Sequence, residues 1–84
     1  MKLLPIGTVV KLEDMEQSVM IIGRMVISED KREFDYVGVL YPIGFIFIGN
    51  EKVLCFNHNK ITEEMHKGYM TDEELGLREK LLEM

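Results

Sequence analysis

A chain of 84 residues has room for one folded domain, and its 46% hydrophobic and 30% charged residues exclude a wholly disordered protein. The formal net charge of -5 argues against a nucleic-acid-binding surface, which needs clustered Lys and Arg. The densest basic group, Lys31-Arg32, is flanked on both sides by acidic residues and is typical of a solvated loop. We therefore expect a single domain over 1–84 that binds no nucleic acid.

The cysteine count and the apolar runs bear on the compartment. Cys55 is the only cysteine, so no intrachain disulfide can form. No stretch approaches the roughly 20 apolar residues that cross a bilayer, and the N-terminus MKLLPIGTVVKL is too interrupted for a signal peptide. These features predict a cytoplasmic protein with no membrane contact.

The first half of the chain has β-type patterns. TVVKLED, from Thr8, predicts a first strand, and the polar residues 13–18 predict a turn. The apolar, β-branched run Val19–Ile27 predicts a central strand in which Gly23 marks a bulge or a sharp bend. After the charged loop SEDKRE, Phe34–Tyr41 predicts a third strand, again with an internal glycine. Two long strands with internal glycines favour a strongly bent sheet.

Pro42 and Gly44 end the third strand, and FIFI and KVLCF on either side of GNE predict a hairpin. NHN then leaves the sheet, because Asn and His favour turns. Residues 61–69 allow two interpretations. One is a short helix capped by Asn59; the other, slightly favoured, is an edge strand with a charged outer face.

Residues 71–84 predict a helix. Thr71 and Glu74 form a capping box, in which the Thr71 hydroxyl accepts from the Glu74 backbone N–H and the Glu74 carboxylate reaches back to the Thr71 N–H. Leucines at helical spacing give the helix an apolar face. The fold class is therefore α+β and mainly β: about five bent antiparallel strands over 6–69 in a small SH3-like partial barrel, then one amphipathic helix over 71–84.

The candidate catalytic and metal-ligating residues favour no reaction. Cys55 with His58 and His66 contains the elements of a thiol hydrolase, but a thiol in an apolar strand is expected to be inert. The two histidines with Glu63 or Glu64 match no compact metal-binding motif, and no phosphate-binding glycine motif is present. We expect no catalytic residue, metal or cofactor.

Arg24 is a cation inside a predicted strand. It is expected either to face solvent or to form a buried ion pair with Asp35 on the neighbouring strand. Asp35-Tyr36 likewise indicates a polar network that fixes strand register, so Arg24, Asp35 and Tyr36 are predicted to form a structural network. The alternative is a small-ligand-binding regulator or minor enzyme, with these three residues and His58 around a pocket.

The run 37–56, VGVLYPIGFIFIGNEKVLCF, is apolar almost throughout. A helix of about fourteen residues cannot cover both faces of the sheet, and either register of FIFI leaves large apolar side chains on each face. We therefore expect a surface for another protein, with contact area from Tyr41, Phe45, Phe47, Ile48 and Tyr69. Two alternatives are a hairpin buried under the helix and a homo-oligomer whose hairpins pair.

Five segments in order, LPIGTVVKL, MIIGR, FDYVGVLYPIG, CFNHNKI and KGYMTDEE, resemble a family of small uncharacterised bacterial proteins. Its members are encoded mainly in Gram-positive genomes beside type VII secretion loci, near genes for WXG- and LXG-motif proteins. FIFIGN departs from the family pattern, which has a shorter and more polar loop there. The resemblance implies an accessory, chaperone-like or adaptor role for helical secretion effectors. It implies no catalytic activity, and it assigns no binding residues.

Overall fold

The computed structural model describes residues 3–45 and 53–83. The described part contains five β-strands, a 3₁₀ turn at His58–Lys60 and one α-helix. The strands are β1 (Val9–Leu12), β2 (Val19–Ile27), β3 (Glu33–Leu40), β4 (Leu54–Phe56) and β5 (Ile61–His66), and the helix is α1 (Asp72–Glu83). The strands form one open antiparallel sheet of order β4-β3-β2-β1-β5, which confirms a mainly β, α+β fold.

The longest strand pair is β2 with β3, which runs from Val19 opposite Leu40 to Ile27 opposite Glu33. Its register shifts between Ile21 and Gly23, so the predicted irregularity at this glycine is confirmed. The predicted hairpin after β3 falls largely on residues 46–52, outside the described part of the chain. Of that hairpin the structure describes its last strand, β4, which pairs with the middle of β3.

The core lies on one side of this sheet. It contains Leu3, Val10, Leu12, Val19, Ile21, Tyr36 and Phe56. The Tyr36 and Phe56 rings lie with centroids 5.5 Å apart, a distance typical of packed aromatic pairs. Leu3 is fully buried although it precedes the first strand, so the segment before β1 belongs to the core as well.

Residues 61–66 form the edge strand β5, which confirms the strand interpretation over the helix. β5 pairs with β1, and the pairing shifts register twice, between Val9 and Val10 and between Lys11 and Leu12. The side chains from Thr62 to His66 are exposed, and three of them carry or can acquire a charge. Bulges and charged residues both protect an edge strand from pairing with other chains.

The start of α1 matches half of the predicted capping box. The Glu74 backbone N–H donates to the Thr71 hydroxyl oxygen over 3.1 Å. The other half is wrong, because the Glu74 carboxylate pairs with Arg24 of β2. A charged partner inside the protein thus replaces the local backbone contact.

The contact of α1 with the sheet is narrower than its leucine pattern predicts. Leu81 packs against the core. Leu75, Leu77 and Leu82 are 41%, 48% and 43% exposed, and no residue of the helix is fully buried. The inward face instead includes Glu74 and Arg78, so polar contacts hold much of the helix in place.

Candidate functional site

A buried ion pair joins β2 to α1. The Arg24 guanidinium donates to both carboxylate oxygens of Glu74, with Nη2 2.8 Å from Oε1. The two side chains are only 4% and 12% exposed. The predicted pairing of Arg24 with Asp35 is wrong, because Arg24 lies directly opposite Tyr36 in the sheet. Asp35 comes one residue before Tyr36 in β3, and successive side chains of a strand point to opposite faces.

Tyr36 is fully buried, and its hydroxyl joins two separate segments. The hydroxyl oxygen accepts from the Leu4 backbone N–H over 3.1 Å and lies 2.7 Å from His58 Nδ1. Burial raises the pKa of the Tyr36 phenol above its usual value near 10, and the charge of Asp35 acts in the same direction.

Asp35 organises the turn that follows β4. Its carboxylate oxygen Oδ2 accepts from the His58 backbone N–H over 2.8 Å. The Asp35 backbone N–H donates to the side-chain oxygen of Asn57 over 3.1 Å. This reciprocal contact explains why NHN leaves the sheet.

The segment before β1 is held mainly by side chains. Arg24 Nη1 lies 3.4 Å from the Leu4 carbonyl oxygen, and Arg78 Nη1 donates to the Leu3 carbonyl over 3.2 Å. With the Tyr36 contact to the Leu4 N–H, these bonds anchor residues 3–4 between the sheet and α1. Because the polar atoms bond to one another, this network stabilises the fold, and the two cavities described below are not lined by Arg24, Tyr36 or His58.

An apolar groove crosses β2, β1 and β5. This β1–β5 groove has a volume of about 560 Å³ and is lined by Gly7, Val9, Ser18, Met20, Tyr41, Met65 and His66. Strand pairing brings three of these residues together, because Val9 lies opposite Met20 of β2 and opposite His66 of β5. The bulge in the β1–β5 pairing leaves Met65 without a residue opposite it. Both Met65 and His66 consequently reach the groove.

The residues predicted to contact a partner lie in different places. Tyr41 lines the β1–β5 groove and is 48% exposed. Phe45 and Tyr69 are 56% and 86% exposed, but neither lines this groove. Phe47 and Ile48 lie outside the described residues. In the described part of the apolar run, Tyr41, Ile43 and Phe45 are exposed, and their contact with a partner stays a prediction.

Two glycine-containing segments, one of which includes the groove residue Gly7, lie in close contact. A Cβ on Gly68 would lie 2.1 Å from the Ile6 carbonyl oxygen, so only glycine fits. The Gly68 N–H donates to the buried Thr8 hydroxyl oxygen over 3.0 Å. Because of this contact, the segment that carries exposed Ile6 lies next to the segment that carries exposed Tyr69. Its only sequence signal is a glycine in each segment, at Gly7 and Gly68.

The histidines and the cysteine do not form one site. Cys55 is on β4 and His66 is on β5, at opposite edges of the sheet. His58 Nδ1 is already bonded to Tyr36. Within residues 3–45 and 53–83, no three His, Cys, Asp or Glu residues are grouped to hold a metal ion. In that same part of the chain, no helix has the length and apolar character needed to cross a bilayer.

Comparison with known proteins identifies a family. A family model described as a domain of unknown function, DUF4176, matches residues 3–77. No curated protein and no solved structure matches the chain. The family match includes the buried N-terminal segment, all five strands and the first half of α1. Because it spans most of the 84 residues, the chain belongs to the DUF4176 family.

Proposed function

We propose that this protein is a non-enzymatic protein-binding module that uses the β1–β5 groove as its contact surface. The observation that carries the proposal is an apolar groove lined by two methionines and a tyrosine from three separate segments. Met20 and Met65 are flexible and polarisable, so they adapt to different apolar partners. Tyr41 adds a large, amphipathic contact of the kind enriched at protein interfaces.

Exposed apolar residues also lie close in the chain to two of the residues that line the groove. Ile6 is 46% exposed beside Gly7, which lines the groove. Ile43 and Phe45 follow Tyr41 and are 45% and 56% exposed. Scattered exposed apolar residues are normal, but a set that adjoins an apolar groove is typical of an interaction site.

We propose that the partner is a helical segment of a protein secreted by a type VII system, and that the module acts as a chaperone-like accessory in the cytoplasm of Gram-positive bacteria. The resemblance of the five sequence segments supports this part of the proposal. The apolar face of an amphipathic helix presents side chains at i, i+3, i+4 and i+7, which suits an apolar groove. The acidic surface would keep the complex soluble.

The test is binding to the LXG- and WXG-type products of neighbouring genes, measured by pull-down and by isothermal titration calorimetry. Met65→Asp places a charge in the groove and is expected to weaken binding at least ten-fold. Leu82→Asp is the matched control, because Leu82 is exposed to a similar extent, 43% against 49%, and is not a groove residue. Absence of binding by the unmodified protein, or equal loss in both variants, would contradict the proposal.

Self-association is the alternative outcome at the same surface. A mass measurement in solution, by light scattering over a range of concentrations, distinguishes the two. A stable homo-oligomer that Met65→Asp dissociates would assign the groove to a second copy of the chain. A monomer that binds a secretion substrate through the groove would support the accessory role.

A further inference from the structure

A second cleft lies on the β2–β3 ribbon, away from the β1–β5 groove. This ribbon cleft has a volume of about 500 Å³ and is lined by Met25, Val26, Ile27, Glu33, Phe34 and Asp35. Among the described residues, β1 pairs with β2 at Val19 and Met20, the segment before β1 bonds to Ile21, and β4 pairs with β3 from Tyr36 to Gly38. The end of the β2–β3 ribbon that carries the cleft therefore extends past the ends of β1 and β4.

The ribbon cleft combines apolar side chains from β2 with carboxylates from β3. Ile27 is opposite Glu33, and the exposed fractions of Met25 and Ile27 are 39% and 68%. Among the residues that the structure describes, the lining contains the carboxylates of Glu33 and Asp35 and no Lys or Arg. Asp35 already accepts a hydrogen bond from the His58 backbone, whereas Glu33 is exposed at the cleft.

One basic side chain beside the cleft is already engaged. The guanidinium carbon of Arg32 lies 5.4 Å from the centroid of the Phe34 ring. The Arg32 Nε atom lies 3.2 Å from a carboxylate oxygen of Asp30. Its charge is thus directed to Asp30, and the ring of Phe34 has one face covered. The cleft keeps an acidic character beside its apolar floor.

We propose that the ribbon cleft is a second interaction surface, which binds an extended segment of another protein that alternates basic and apolar residues. Its apolar side chains would cover Met25 and Ile27, and its Lys or Arg side chains would pair with Glu33. Charge complementarity selects this occupant. A second copy would bring the same carboxylates together, and nucleic acids or anionic lipids would be repelled by them.

The experiment uses the full-length protein and a fluorescent seven-residue peptide that alternates Lys and Val. Fluorescence anisotropy measures the affinity, and backbone amide chemical shifts locate the site. We expect shifts at residues 25–27 and 33–35, and weaker binding as salt rises from about 0.05 M to about 0.5 M. A peptide with Glu in place of Lys is expected not to bind.

Three variants distinguish binding at the ribbon cleft from non-specific attraction of a basic peptide to an acidic protein. Ile27→Ser is expected to weaken binding about ten-fold, because the apolar contact is lost. Glu33→Gln is expected to weaken peptide binding about three-fold, because one exposed ion pair is lost. Glu29→Gln, in the loop between β2 and β3, changes the net charge equally and is expected to leave the affinity unchanged.

The proposal is overturned by any of three results. One is equal loss of affinity in Glu29→Gln and Glu33→Gln, which would indicate attraction by net charge alone. Another is chemical shift changes confined to the β1–β5 groove. The third is absence of binding by the Lys-containing peptide. None of these results depends on the secretion partner, so the proposed function is tested separately.

Discussion

Arg24 of β2 and Glu74 of α1, fifty residues apart in sequence, form a two-bonded ion pair that is almost completely shielded from water. This pair fixes the helix on the sheet at a point where leucine packing is limited to Leu81. A buried ion pair gives little net stability over an apolar pair of the same size, but removal of one partner leaves an unpaired charge in the interior.

Removal of either charge should strongly destabilise the protein. Arg24→Ala or Glu74→Ala is expected to lower the free energy of unfolding by about 3 kcal/mol or more, because the remaining charge is buried without a partner. In a domain whose total stability is of order 5–15 kcal/mol, a substantial fraction would be lost. Urea unfolding followed by circular dichroism measures the change.

The double variant Arg24→Leu with Glu74→Leu is the control for this prediction. It removes both charges, so its stability is expected to lie within about 1–2 kcal/mol of the unmodified protein. A double variant as unstable as the sum of the single variants would show that the two side chains act independently.

Tyr36→Phe removes the hydroxyl that bonds to Leu4 and His58. We expect a loss of about 1–3 kcal/mol in the free energy of unfolding, since a partly buried N–H loses its acceptor. Hydrogen exchange at the Leu4 amide should become faster than in the unmodified protein. Tyr69→Phe is the control, because Tyr69 is 86% exposed and its change should stay within about 0.5 kcal/mol.

The buried phenol also predicts a dependence of stability on alkaline pH. The pKa of Tyr36 is raised in the folded protein, so above pH 10 the folded state binds more protons than the unfolded state. The free energy of unfolding should therefore be unaffected by this group below pH 10 and should fall as the pH rises through the folded pKa. In Tyr36→Phe, the fall in the free energy of unfolding with rising pH that is due to this phenol should be absent. If the free energy of unfolding falls equally with alkaline pH in both proteins, the fall is not due to Tyr36.

Two glycines should respond in opposite directions to alanine. Gly68→Ala forces a methyl group to 2.1 Å from the Ile6 carbonyl oxygen, so it should separate the two segments that meet there. A destabilisation of more than about 2 kcal/mol is expected. Gly76→Ala adds a methyl group to an exposed position of α1 with no atom within 4 Å, and should stabilise by about 0.5–1 kcal/mol. Thermal unfolding of both variants gives the comparison.

Local patterns in the sequence predicted the elements well. The β-branched runs gave the long strands β2 and β3, Gly23 marked the irregularity between them, and Thr71 marked the start of α1. These signals are local, because strand, bulge and cap preferences depend on neighbouring residues. The edge position of residues 61–66 also followed from their charged outer face.

Contacts between distant segments could not be predicted in the same way. Glu74 is equally suited to a capping box and to an ion pair, and the choice depends on where Arg24 lies in the folded protein. The β1–β5 groove requires the pairing of Val9 with His66, which no local pattern specifies. Tyr41 was identified from its place in an apolar run, whereas Met20 and Met65 become groove residues only once β1 separates β2 from β5.

The position of β5 beside β1 determines when the sheet can be completed during synthesis. Leu12 pairs with Ile61, so β1 emerges from the ribosome about 50 residues before its second neighbour. Until the chain has been made through His66, one side of β1 has no strand to bond. This interval is when the nascent protein is most prone to pair wrongly with other chains, and a slower rate of translation before residue 61 would prolong it.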